Sequence, residues 1–214
     1  MNTNINLYQR LASIGINVNS ENTLYVFSDI ELTLILAIKN ISDDKRLLGL
    51  ILSWVKIHGD KINIERLSKI SGNKAPPWLG LIALFGICCK QYRWKKIVSR
   101  PDTLLTNGNP DTNKARAKLK GEEEWSKGSG YLIPKGSESI TDKYVLAPEQ
   151  LAKINKHYKN KLIYGPNWRA DIATAIESGA KNPYQVAKIC HCSYEPAHRV
   201  YKDFITAGII AKTG

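Results

Sequence analysis

Apolar residues recur at helical spacing along much of the chain, and turn-forming residues cut them into segments. Leu7, Leu11 and Ile14 open the series as a short periodic piece. A turn at 19–22 and a strand-like run Thr23-Leu24-Tyr25-Val26-Phe27 follow. Ser28 or Asp29 then caps a helix expected to reach about residue 38, with Glu31 near its positive end. Ser42-Asp43-Asp44 supplies acids for the start of a second helix, which carries Leu47, Leu48, Ile51, Leu52 and Val55 and ends at His58-Gly59. Asn63 caps a third over 63–70, with Ile64, Leu67 and Ile70 on one face and Ser71-Gly72 closing it. Pro77 starts a fourth over 77–91, in which Gly80 and Gly86 weaken the helix but permit close backbone approach.

The pattern breaks after residue 98. Pro101, Asn107-Gly108-Asn109-Pro110, Gly128-Ser129-Gly130 and 134–139 are loop chemistry, around an expected exposed helix over 111–125. Tyr131-Leu132-Ile133 and Tyr144-Val145-Leu146 are expected to form a small hairpin. Pro148 opens a basic helix over 149–159 with Lys153, Lys156, His157 and Lys159. The expected organisation is a helical domain over 1–98, a connector over 99–145 and a second helical unit over 146–214. The fold class is therefore mainly α, with a small β-hairpin in the connector.

The clearest pattern lies at the carboxy-terminal end. Trp168, Ile172, Ala175 and Ile176 share one face of a helix that stops at Gly179-Ala180. Asn182-Pro183 is a cap followed by a first-turn proline, which predicts a helix from 183 to 189 or 190. His191-Cys192 is a tight connection, and Ser193 caps a third helix over 194–206, with Val200, Phe204 and Ile205 inward and Ala207-Gly208 at its end. A short helix, a turn and a longer helix, preceded by a supporting helix, form the arrangement that presents a recognition helix to the major groove.

These residues resemble the winged-helix and related helix-turn-helix regulators of prokaryotes. The matching stretches are Asn182 to Ile189, Ser193 to Val200 and Phe204 to Ile210, about a fifth of the chain. Gly208-Ile209-Ile210 resembles the entry to a wing strand, but the sequence ends at Gly214, leaving a trihelical unit with a truncated wing. The resemblance implies base reading by Tyr194, Glu195, His198 and Arg199, Arg199 being able to donate a bidentate pair to guanine. It places Lys181, Tyr184, Gln185, Lys188 and Lys202 near phosphates. A two-domain basic protein of this size is also similar in architecture to autoregulating antitoxins of the abortive-infection type, which pair with a nucleotidyltransferase toxin.

Charge supports a polyanionic partner without requiring one. The net charge is +12, of which +7 lies in residues 1–100 and only +2 in 166–214. Simple solubility charge is the alternative. The stretch Tyr92-Arg93-Trp94-Lys95-Lys96 has two readings: Arg93, Lys95 and Lys96 track phosphates while the rings stack, or Trp94 and Ile97 face inward and the cations snorkel. Cys190, His191, Cys192 and His198 lack zinc-ligand spacing, and Cys88-Cys89 reads as core within an apolar helix. His58 reads as a histidine at the negative end of a helix. Glycine spacing excludes a phosphate-cradling loop, and Glu122-Glu123-Glu124 is a solvated face. With no nucleophile–base set, no metal ligands and no cofactor motif, the expectation is a non-enzymatic, cytoplasmic DNA-binding protein with reduced thiols and no membrane association. Its expected partner is double-stranded DNA, with a protein partner or a second copy meeting the amino-terminal domain. The competing expectation is an adaptor whose carboxy-terminal helices dock protein.

Overall fold

The computed structural model describes residues 6–17, 28–100, 118–127, 133–136 and 142–210. These residues are mainly helical, and no strand is present among them, only two isolated β-bridges. No described helix is long and apolar enough to cross a membrane. The strand-like run at 23–27 and the body of the helix expected over 111–125 lie outside the described residues.

Helices α1 (Leu7–Ser13), α2 (Ile30–Lys39), α3 (Arg46–His58), α4 (Ile64–Ser71), α5 (Leu79–Cys88) and α6 (Lys95–Val98) share one core. Side-chain caps define three of the starts. Asn6 and Gln9 cap α1 reciprocally, Asp29 accepts from Leu32 N–H at 3.0 Å, and Asn63 accepts from Arg66 N–H at 3.2 Å. Helix α5 is apolar all round and is buried along nearly its whole length. At Gly86 the Trp94 indole lies against its backbone, where a Cβ would stand 2.8 Å from the ring. Trp94 is itself buried and donates Nε1–H to the Gly59 carbonyl at 3.2 Å.

Three expectations need correction. The helix expected over 149–159 is two helices, α7 (Pro148–Ile154) and α8 (Lys156–Tyr164). Asn155 separates them in extended conformation, accepting from Tyr158 N–H at 2.9 Å while donating to the Ser13 and Ser28 carbonyls. The hairpin does not form in the described part of its span: Val145 bridges to Ile16 and Pro134 to Glu122. Tyr144 ends a short 3₁₀ turn, and its carbonyl accepts from Asn17 N–H at 2.8 Å; Tyr131 and Leu132 lie outside the described residues. Cys88 is exposed and Cys89 half-buried, because α5 stops there and Lys90 turns the chain away with a φ of 64°.

Leu151 of α7 and Tyr158 of α8 are fully buried in the amino-terminal cluster. His58, at the end of α3, donates Nε2–H to the Leu146 carbonyl at 2.9 Å and accepts from Tyr158 O–H at 2.8 Å. Both ring nitrogens are thus used by the neutral imidazole, and burial lowers its pKa to about 4.

A second core gathers α9 (Trp168–Glu177), α10 (Pro183–Cys190) and α11 (Tyr194–Thr206) around Ile172, Val186, Cys190, Ala197, Val200 and Phe204. Each fully buried large side chain contributes roughly 1.5–3 kcal/mol, so the unit has a real interior of its own. Polar and charged groups, rather than a continuous apolar seam, join the two cores.

Candidate nucleic-acid interface

Asn182 accepts from Gln185 N–H at 2.9 Å, and Pro183 occupies the first turn of α10. The helix ends on His191 in the left-handed region, at a φ of 57°, and Cys192 N–H returns to the Ala187 carbonyl at 3.1 Å. Ser193 stands in the cap position of α11 with extended backbone, but its hydroxyl makes no cap hydrogen bond. Three residues, 191–193, connect α10 and α11. The buried face of α11 seats it in the second core, where Tyr201 O–H also donates to the Lys181 carbonyl at 2.6 Å, and Arg169 pairs with Asp203 at 2.5 Å along its exposed edge.

The two faces of α11 differ completely. Ala197, Val200, Tyr201 and Phe204 are buried, whereas Tyr194, Glu195, His198, Arg199 and Lys202 are exposed. The Tyr194 and His198 rings stack with centroids 5.5 Å apart. Arg199 lies 3.9 Å from Glu195, with its side chain 70% exposed. An exposed i,i+4 pair of this kind is worth about 0.3–0.5 kcal/mol, too little to hold the guanidinium against a better acceptor. Lys181, Tyr184, Gln185 and Lys188 are also exposed, although Gln185 already accepts from Lys181 N–H at 2.9 Å. Ile209 and Ile210 form no wing strand; both N–H groups fold back to the Phe204 carbonyl.

The upstream cations have other employment. Arg93 donates to the Pro166 carbonyl at 2.8 Å, Lys96 pairs with Glu65 at 2.9 Å, and Lys95 stands over the Tyr92 ring. With Trp94 and Ile97 buried, this stretch packs as an amphipathic helix end. Lys153 is exposed on α7, and Lys156 lies 3.3 Å from Glu177.

Sequence reasoning missed a buried junction that reaches the end of α10. Glu31 of α2 accepts from Asn63 N–H at 2.9 Å, Lys161 at 2.7 Å and Arg66 at 2.8 Å. Arg66 also holds Asp29 with both terminal nitrogens and donates Nε–H to the Cys190 carbonyl, the last residue of α10, at 3.0 Å. Asp171 of α9 accepts from Lys161 at 2.9 Å, Asn63 Nδ2 at 2.6 Å and His157 Nε2 at 2.7 Å. His157 Nδ1 accepts from Ile30 N–H at 3.3 Å, which fixes the tautomer. Burial alone would raise the Asp171 carboxyl; Lys161, His157 and Arg66 overturn that and hold it well below the usual carboxylate range. Burial likewise opposes charge on Lys161, and Glu31 and Asp171 more than offset it.

Asp29, Glu31 and His157 bring donor atoms within 4.8 Å of one another, close enough to share an ion. Arg66 and Lys161 already supply positive charge there, and the His157 nitrogens are taken by Ile30 and Asp171. The cluster is thus a completed ion-pair network rather than a ligand set awaiting a metal. Burial pushes the Cys190 thiol up, which keeps it protonated and disfavours metal ligation. Comparisons with family models, curated proteins and solved structures give no match for this chain.

Proposed function

We propose that the protein is a non-enzymatic, duplex-DNA-binding regulator in which α11 is the recognition helix of a helix-turn-helix. The observation that carries this reading is the exposed face of α11, where Tyr194, Glu195, His198, Arg199 and Lys202 stand outward on a helix whose buried face is seated in the second core. Arg199 reads guanine, and Lys188 and Lys202 contact phosphates. The antitoxin-like role belongs to the same reading, with a nucleotidyltransferase partner meeting the amino-terminal helices.

Binding to duplex DNA across a salt series tests it. Affinity is expected to fall steeply with salt, and Arg199→Ala to cost roughly 1–3 kcal/mol of discrimination between sites, whereas Lys188→Ala weakens all sequences alike. No binding even at low salt would sink the proposal. A protein-docking reading is favoured by one feature, the exposure of Tyr184 (71%), Tyr194 (55%) and Ile189 (49%) around the turn. Under that reading Ile189→Ser abolishes partner capture, and DNA binding is absent.

A further inference from the structure

Beside the turn lies an open groove of about 450 Å³, lined by Ser68, Lys69, Gly72, Asn73 and Arg100. Its location follows from α4. Arg66 reaches the Cys190 carbonyl, and Lys69, three residues further along, places Nζ 5.0 Å from the centre of the Trp168 ring in the first turn of α9. The Lys69 charge is also felt at the Cys192 thiol, inside the turn that leads into α11. Lys69, which lines the groove, therefore stands between the first turn of α9 and the segment that leads into α11.

A helix C-terminus ordinarily repels anions, with the equivalent of about half a negative charge. Here Arg100 covers it. Its Nη1 donates to the Ser68 carbonyl at 2.8 Å and to the Ser68 and Ser71 hydroxyls, and Nη2 donates to the Gly72 carbonyl at 2.8 Å. One full positive charge on the terminal carbonyls, with Lys69 alongside, makes the groove positive. Arg100 is also fixed in place, so little side-chain entropy is lost when an anion arrives. At Gly72 (φ 79°) nothing lies within 4 Å of where a Cβ would stand, and the groove stays open on that side.

We propose that this groove receives the sugar-phosphate backbone flanking the bases read by α11, with Lys69 as the phosphate contact, Arg100 supplying positive charge from behind the helix end, and Ser68 and Asn73 as neutral donors. The assignment rests on the duplex-binding reading above and adds a second point of grip supplied by the amino-terminal helices. The test compares the full-length protein with Lys69→Gln and Asn73→Asp for duplex binding between low and moderate salt. Asn73→Asp removes no internal tie and only adds a negative charge to the groove. Loss of the Lys69 contact is expected to make the log–log salt slope shallower by about 0.9. Asn73→Asp is expected to weaken binding several-fold at low salt, an effect that shrinks as salt rises. Both variants keep the preference for the selected site over a scrambled one, because phosphate contacts carry no sequence information. Unchanged slope and affinity in both variants, with wild-type binding intact, overturn the groove and leave the α11 reading standing. Absence of wild-type binding overturns that reading and the groove with it.

Discussion

Arg66 donates to four acceptor atoms on three residues: both Asp29 carboxylate oxygens, Glu31 Oε2 and, at the far end of the sequence, the Cys190 carbonyl. Replacing it with alanine leaves Asp29 without its guanidinium and Glu31 with Lys161 as its remaining countercharge. A loss of about 3–5 kcal/mol in urea unfolding is expected, with Arg66→Lys recovering only part because it cannot span the same acceptors. The pH dependence follows from the same groups. Asp29 and Asp171 titrate lower in the fold than in the unfolded chain, so their stabilisation is full above about pH 4 and is lost as pH falls through their folded values. His58 acts earlier. Its folded pKa of about 4 lies below the unfolded value, so the unfolded chain takes up the proton first and stability falls as pH drops from about 6.5 towards 4. His58→Gln is expected to flatten the decline in Tm between pH 7 and 5; an unchanged slope would assign the effect elsewhere. None of this junction was legible in the sequence. Glu31 reads only as an acid near the positive end of a helix, and Arg66, Lys161 and Asp171 carry no local signal, because only their long-range partners make burial tolerable.

Helix boundaries were legible wherever a local side chain sets them. Asn63 and Asn182 announce α4 and α10 through bonds spanning three residues, Pro183 adds a fixed φ suited to the first turn, and the extent of α11 follows from the apolar spacing of Val200 and Phe204. The break at Asn155 was hidden because its cause is tertiary: Nδ2 donates to carbonyls at Ser13 and Ser28. Asn155→Ala removes those bonds together with the α8 cap, and a loss of about 1–3 kcal/mol is expected, read by thermal unfolding. The exposure of Cys88 was equally hidden, since α5 is apolar on every side and gives no hint of where it stops. Gly86 makes a sharper test of packing. A methyl there meets the buried Trp94 indole, so Gly86→Ala is expected to destabilise by about 1–3 kcal/mol despite its gain in helix propensity. A stabilised variant would show that the indole moves aside.

The molecule has two apolar cores, but the groups between them are charged, paired and buried. Opening that seam would expose ion pairs whose geometry spans α2, α4, α8 and α9. Unfolding is therefore expected as a single transition, with far-UV circular dichroism and amide exchange in α11 reporting the same midpoint. Separate midpoints would show that the junction does not couple the cores. The same seam bears on how such a chain can change over evolutionary time. Recognition units of three helices are readily imagined as cassettes, exchanged between proteins at a linker. Here the cassette would leave with Asp171 on its inner surface, severed from the Lys161 charge that balances it and from the Asn63 and His157 hydrogen bonds that complete its shell. Inheritance must then proceed as a block, the amino-terminal helices travelling with the three-helix unit they hold, and a chimera joined near residue 166 would need those three partners rebuilt in its new host.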